Sequence, residues 1–175
     1  MRLFVASELP KESSNYLRQI QEELKALPAK QSFPKSFHIT YQFLGELNPQ
    51  EFEAVKLSLS ALKFQKIICK LTKIGFFPND KRIRVIWIGV EPEEQLVQLS
   101  QKIQELTGLK MDKPFKAHIT LSRVKFVKDK EFNDKILEIS IKEMTFTIDK
   151  VKLVESILTS EGSKYNIKLN VGSSE

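Results

Sequence analysis

The sequence predicts a mixed α and β chain built of two similar lobes that face each other across a cleft. Three observations predict it. The only two histidines, His38 and His118, stand 80 residues apart, and each opens the same tripeptide, His-Ile-Thr. Each tripeptide lies in a run rich in β-branched and aromatic residues, which favours a strand. Each is also preceded by a strand and an amphipathic helix at matched spacing. The helical seam Leu17, Ile20, Leu24 and Leu27 lies 21, 18, 14 and 11 residues before His38, and the seam Leu96, Leu99, Ile103 and Leu106 lies 22, 19, 15 and 12 before His118. Similar helix-to-strand spacings recur in α/β chains, so the identical tripeptides are what turn the spacing into a repeat.

Taken in order, Arg2 to Ser7 reads as a strand, and Pro10 opens a helix to about Leu27. Pro28 and Pro34 bracket a loop before the first His-Ile-Thr strand, which ends at Gly45-Glu46-Leu47-Asn48. Asn48 is a good N-cap, with Pro49 at the first helical position and Glu51 three residues after the cap. The helix that follows carries Phe52, Val55, Leu59 and Leu62 on one side. Phe64 to Ile74 reads as a strand, and Gly75 to Asp80 as a loop with two aromatic residues, Phe76 and Phe77. Arg82 to Val90 reads as a strand with Ile83, Val85 and Trp87 on one face and Ile86 and Ile88 on the other. Pro92, Glu93 and Glu94 start a third helix, where acids suit the helix dipole, and Gly108 stops it. After the second His-Ile-Thr strand, Lys125 to Lys135 reads as a charged loop with a helical turn. Lys142 to Leu158 and Tyr165 to Val171 read as a final hairpin turning at Ser160 to Ser163.

A chain of 175 residues, 41% hydrophobic and 29% charged, can bury a real core and keep a soluble surface. Lys and Arg outnumber Asp and Glu by 28 to 22, giving +6 and a pI near 9.3. That balance favours an anionic partner, with nucleic acid as the leading class. No apolar run approaches the roughly 18 residues of a membrane span. The N-terminal apolar stretch is short and interrupted by Glu8, and the single Cys69 allows no internal disulfide. A cytoplasmic monomer with no membrane association is expected.

Alternation along a strand puts His38 and Thr40 on one face and Ile39 and Tyr41 on the other. His118 and Thr120 likewise share a face opposite Ile119 and Leu121. A lone histidine in a half-buried strand is ordinarily structural; two in identical tripeptides point to one shared site. A catalytic zinc typically needs three protein ligands, and no spaced ligand motif accompanies these two, so no metal and no other cofactor is expected. Cys69 lies in an alternating strand without the setting of a nucleophile. Thr40 and Thr120 as nucleophiles would leave the duplication unexplained. Paired imidazoles suit concerted acid–base work, one taking a proton from water while the other donates to a leaving oxygen. The reaction that most needs acid and base on opposite sides of one atom is in-line displacement at phosphorus. Its equatorial oxygens want hydroxyl and cationic donors, which Thr40, Thr120 and Arg123 would supply. Arg123 lies five residues after His118, an odd offset that puts it on the wrong face of an ideal strand. Reaching the cleft requires a bulge or a strong twist at Ser122; without one it is an ordinary surface arginine.

The pair His38-Ile39-Thr40-Tyr41 and His118-Ile119-Thr120-Leu121 resembles the two signatures of the 2H phosphoesterase superfamily. Within it, the chain is similar to the RNA 2′,3′-cyclic phosphodiesterases, historically called 2′-5′ RNA ligases. The resemblance spans nearly the whole chain and includes Arg2 to Ala6, Phe43-Leu44-Gly45-Glu46, Gly75 to Pro78, Val85 to Val90, Arg123, Leu153 to Ser156 and Tyr165. It implies an α+β fold with two antiparallel sheets in pseudo-two-fold related lobes around a central cleft, helices outside, and residues 1–175 as a single bilobal domain. It implies hydrolysis of RNA 2′,3′-cyclic phosphate ends to 2′-phosphates without metal. His38 would be the proton donor, His118 the proton acceptor, and Thr40, Thr120 and Arg123 the phosphate-binding residues. Tyr41 is bulkier than the usual aliphatic residue, which bears on core packing. Rival readings are a phosphoesterase acting on a small cyclic nucleotide, a 2′-5′ RNA ligase, and a non-catalytic RNA-binding module. If RNA is the substrate, Lys81, Arg82, Arg84, Lys125, Lys128 and Lys130 would meet further phosphates, and Phe76 or Phe77 would stack on a base.

Overall fold

The computed structural model describes residues 1–174. Its elements in chain order are β1 (Arg2–Glu8), α1 (Lys11–Lys25), β2 (Ala29–Ser32), β3 (His38–Glu46), α2 (Pro49–Leu59), β4 (Ile67–Asn79), β5 (Arg82–Glu91), α3 (Glu93–Thr107), β6 (His118–Val127), α4 (Phe132–Leu137), β7 (Thr145–Ile148), β8 (Lys150–Thr159) and β9 (Gly162–Gly172). The strands form two antiparallel sheets, ordered β3-β1-β8-β9 and β2-β6-β5-β4-β7. The helical starts and stops follow their local chemistry. Asn48 and Glu51 form a reciprocal capping box with both bonds at 2.8 Å, Pro49 occupies the first turn, and Gly108 closes α3 in the left-handed region at φ 69°.

Three expectations need correction. The segment between Pro28 and Pro34 is not a loop but holds β2, which pairs with β6. Gly75 to Pro78 continues β4 rather than leaving it. Proline is tolerated there because β7 pairs only with Ile67 to Lys70, so the far end of β4 is a sheet edge. The run from Lys142 to Leu158 is two strands in different sheets: β7 ends at Ile148, and β8 begins at Lys150 beside β1. The helices of the repeated unit reach across the molecule: α1 packs under β6, and α3 packs under β3 while also touching β5.

The two histidine strands carry the same irregularity. In β3, Gln42 pairs with Val5 and Thr40 with Ala6, which leaves Tyr41 as one extra residue; in β6, Ser122 pairs with Ile86 and Thr120 with Trp87, which leaves Leu121 extra. Each is a β-bulge, and each reverses the alternation beyond it. Tyr41 and Gln42 are therefore both buried, as are Leu121 and Ser122, and Phe43 and Arg123 emerge together with their histidines. A bulge leaves a backbone carbonyl out of the ladder, and a buried carbonyl needs a donor. The exchanged helices supply both. Ser100 Oγ on α3 donates to the Tyr41 carbonyl at 3.0 Å, and Gln21 Nε2 on α1 donates to the Leu121 carbonyl at 3.0 Å. The polar residues that the bulges turn inward are also paired. The Gln42 amide donates to the Leu109 carbonyl at 2.7 Å, and the Ser122 hydroxyl donates to Gln31 Oε1 at 2.6 Å. Tyr41 fits the core because its hydroxyl donates to Ser7 Oγ at 2.8 Å.

Gln21 also donates to the Pro34 carbonyl, so Gln21→Leu strips the donor from two backbone acceptors. The expected loss of stability is about 1–3 kcal/mol, read by equilibrium urea denaturation. Gln98→Leu, on the exposed side of α3, should stay within about 0.5 kcal/mol of wild type. Equal small effects would mean that the bulge carbonyl does not depend on the exchanged helix.

Candidate active site

His38 and His118 are the first residues of β3 and β6, both half-buried, with Thr40 and Thr120 two residues further along the same faces. Three of the five residues singled out from the sequence, His38, His118 and Arg123, come within electrostatic reach of one another, and Thr40 and Thr120 share the faces of their own histidines. The charges of His118 and Arg123 both bear on His38, and the charge of Arg123 bears on His118 as well. The bulge at Leu121–Ser122 puts Arg123 on the same face of β6 as His118, where it pairs in register with Val85. On the other lobe, five residues after His38, Phe43 comes to the matching position by the matching bulge.

The two imidazoles are held differently. His118 Nδ1 lies 2.6 Å from the Lys116 carbonyl oxygen. A carbonyl oxygen only accepts, so Nδ1 carries the hydrogen and the neutral ring keeps its lone pair on Nε2. Burial lowers the pKa of His118; the bond to the Lys116 carbonyl opposes this, and the charges of Lys116 and Arg123 add to it. Burial pushes His38 down to about 4; the carboxylate of Glu8 opposes this, and Arg123 and His118 add to it. Glu8 is the register partner of His38 across β1 and β3, and its Oε2 lies 2.7 Å from Lys152 Nζ. The corresponding partner of His118 is Gly89. The acid beside one histidine and not the other was not legible in the sequence, since it depends on the β1–β3 register.

Aromatic rings surround both histidines. Phe4 stacks on His38 at 5.2 Å, and Tyr165 meets both edge-on at 5.4 Å from Phe4 and 5.7 Å from His38. Phe77 meets His118 edge-on at 5.0 Å and leans on Trp87 at 5.1 Å, with Lys116 Nζ 4.6 Å above the Trp87 ring. Gly75 leaves the room that ring needs, because a β-carbon there would collide with it. Phe76 faces the other way and packs on the core, so it is not available to a ligand. Cys69 is buried, and burial lifts its thiol to about 12, which leaves no thiolate to act as a nucleophile. Among the described residues, no group of three or more His, Cys, Asp or Glu is arranged to hold a metal ion. Of the basic residues named from the sequence, Arg82 and Arg84 lie on β5 and Lys125 on β6. Arg84 Nη1 donates to the Lys125 carbonyl at 3.2 Å, one strand pairing beyond Arg123. No helix among the described residues is long and apolar enough to cross a membrane.

Comparison with known proteins gives a consistent picture. The family model described as LigT like phosphoesterase matches residues 7–87 and again 88–165, so each half of the chain matches separately. An RNA 2′,3′-cyclic phosphodiesterase of Methanocaldococcus jannaschii is 34% identical over 172 residues, covering 95% of this chain and 98% of the relative. A protein of the same name from Archaeoglobus fulgidus is 34% identical over 170 residues, covering 94% and 96%. The crystal structure of a Thermus thermophilus protein superposes with a TM-score of 0.73 at 26% identity, over 98% of this chain and 97% of that one.

With only two histidines, their ring resonances in a proton NMR titration are readily assigned by substitution. His38 should titrate near 4 and His118 below its ordinary 6.5. Removing the charge that supports the His38 imidazolium, in Glu8→Gln, should lower the His38 midpoint further and leave His118 in place. A wild-type His38 titrating at or above 6.5 would contradict the burial and electrostatics described.

Proposed function

The chain belongs to the LigT-like phosphoesterase family, and from that premise we propose that it hydrolyses RNA 2′,3′-cyclic phosphate ends to 2′-phosphates by metal-independent acid–base catalysis on two histidines. The names of its archaeal relatives support the reaction class. The observation that supports the mechanism is the electrostatic proximity of His38, His118 and Arg123, with the bulge in β6 putting Arg123 on the face of His118 and Thr120.

The different settings of the two imidazoles favour one assignment of roles. His118 sits near two cations and presents a lone pair on Nε2, as a base requires. His38 is the histidine with a carboxylate beside it, and a carboxylate favours the protonated form. Burial leaves His38 neutral near pH 7 on its own. A phosphodiester anion between the rings opposes that burial and draws a proton onto His38. A water oxygen then attacks phosphorus while its proton passes to His118 Nε2. The P–O3′ bond breaks on the opposite side, and O3′ takes the proton of His38. The product is a 2′-phosphomonoester, with a neutral His38 and a protonated His118 that exchange protons with solvent before the next turnover. The hydroxyls of Thr40 and Thr120 and the guanidinium of Arg123 hold the equatorial oxygens as charge gathers there.

His38→Ala and His118→Ala should each lower kcat by roughly 10²–10⁴-fold, and the double variant should lose less than the product of the two. Assays run in excess chelator should give the wild-type rate. Wild-type turnover in either single variant would remove the assignment, and loss in chelator restored by zinc or manganese would replace the mechanism with a metal-assisted one.

A salt series separates RNA from small-nucleotide substrates. Lys125 follows Arg123 on the same face of β6, and Arg82 and Arg84 lie on the neighbouring strand β5. Each additional phosphate that they neutralise should steepen the dependence of log KM on log salt by about 0.7. The KM for an RNA with a cyclic phosphate end should therefore rise more steeply with salt than the KM for a 2′,3′-cyclic mononucleotide. Parallel slopes would favour a small cyclic nucleotide as the substrate.

A further inference from the structure

We propose that the hydroxyl of Thr72 holds the attacking water beside His118, accepting the hydrogen that His118 does not take. The proposal rests on the reading above, in which His118 is the base and His38 the acid. In an in-line displacement the water stands on the side of the base, opposite the leaving O3′. One of its hydrogens points at His118 Nε2. A lone pair must point at phosphorus, and an acceptor for the second hydrogen fixes that orientation. The acceptor belongs on the His118 side, which is the face of β6, β5 and β4 that carries His118 and Thr120.

A third bulge brings Thr72 to that face. In β4, Leu71 pairs with Val90 and Ile74 with Ile88, so Thr72 and Lys73 together oppose the single Gly89. Leu71 is buried and Ile74 packs on the core, whereas Thr72 and Lys73 are both exposed. Gly89 is in turn the register partner of His118. It has no side chain, and Thr72 Oγ1 fills the space that a β-carbon there would take, with the Trp87 ring bordering the same space. The hydroxyl therefore stands over the residue next to His118, although β4 is two strands away from β6. On the other lobe the corresponding place beside His38 belongs to the carboxylate of Glu8. The other side chains around His118 cannot accept the hydrogen. Phe77 has no polar atom, the Trp87 indole only donates, and so do the ammonium groups of Lys73 and Lys116. The Lys116 carbonyl is taken by His118 Nδ1. A threonine hydroxyl both accepts and donates, and it is neutral, so it orients the water and leaves the proton transfer to His118.

The test lets methanol compete with water for 2′,3′-cyclic AMP. Attack by water gives the 2′-phosphate and attack by methanol the methyl 2′-phosphodiester, and both break the P–O3′ bond with His38 as the acid. Their ratio therefore reads the place of the nucleophile alone and does not depend on how much of the enzyme is folded. Methanol has one hydrogen for His118 and none for Thr72, so wild type should favour water. In Thr72→Val, kcat for hydrolysis should fall about 10–100-fold with KM within about twofold of wild type. The ratio of methyl diester to 2′-phosphate should rise about tenfold or more in the same variant. Thr72→Ser keeps the hydroxyl and should keep the wild-type ratio and KM. A ratio in Thr72→Val equal to that of wild type would overturn the proposal even if kcat fell, and so would a serine variant that behaves as the valine one; either leaves the reaction standing. No release of 2′-phosphate by wild type would overturn the reaction, and the proposal with it.

Discussion

The bulge at Tyr41 in β3 and its twin at Leu121 in β6 govern the arrangement of this molecule. Without the bulge at Tyr41–Gln42, Phe43 would point into the core; without the bulge at Leu121–Ser122, so would Arg123. Each bulge leaves a carbonyl that no neighbouring strand can satisfy, and a buried carbonyl without a donor costs roughly 1–3 kcal/mol. Ser100 and Gln21 meet that need from helices that cross between the lobes. The feature that aims the site is thus also what ties the two sheets together. A shift in either helix would disturb a bulge, and a disturbed bulge would turn a side chain out of the cleft.

The backbone is close to two-fold symmetric here, but the side chains are not, and acid–base chemistry depends on the difference. Two identical imidazoles would compete for the same proton state. The partner of His38 is Glu8, held by Lys152, whereas the partner of His118 is Gly89 with Lys116 nearby. A carboxylate favours imidazolium and a nearby cation disfavours it, so the two rings are pushed toward different roles. Burial lowers both, so under the proposed mechanism the substrate anion is what draws a proton onto His38. Phe43 and Arg123 repeat the pattern, with equivalent places on the backbone carrying opposite chemistry.

What could be read from the sequence was local. The paired tripeptides, the Asn48 cap, the helical seams and the stop at Gly108 each depend on residues within one or two turns of each other, and each appears in the structure. The structure departs from the local pattern where a segment takes its identity from a distant partner. β2 is only four residues long and exists because β6 pairs with it, and β4 outruns its apolar stretch because β5 continues alongside. The break between β7 and β8 is invisible in composition, since both flanks are β-prone. The need for a bulge near Ser122 followed from the odd offset of Arg123. The twin bulge in β3 had the same signal, Phe43 standing five residues after His38, but a phenylalanine raised no question of chemistry. Glu8 left no trace, because its place beside His38 is a matter of register alone.

The claim at the centre is that His118 and His38 act from opposite sides of one phosphorus in a single displacement. The stereochemistry at phosphorus tests it most directly. One diastereomer of a 2′,3′-cyclic phosphorothioate, hydrolysed in ¹⁸O-labelled water, should yield a 2′-phosphorothioate with inverted configuration and one label on phosphorus. Retention would mean two displacements through a covalent intermediate on the protein, and would contradict the account.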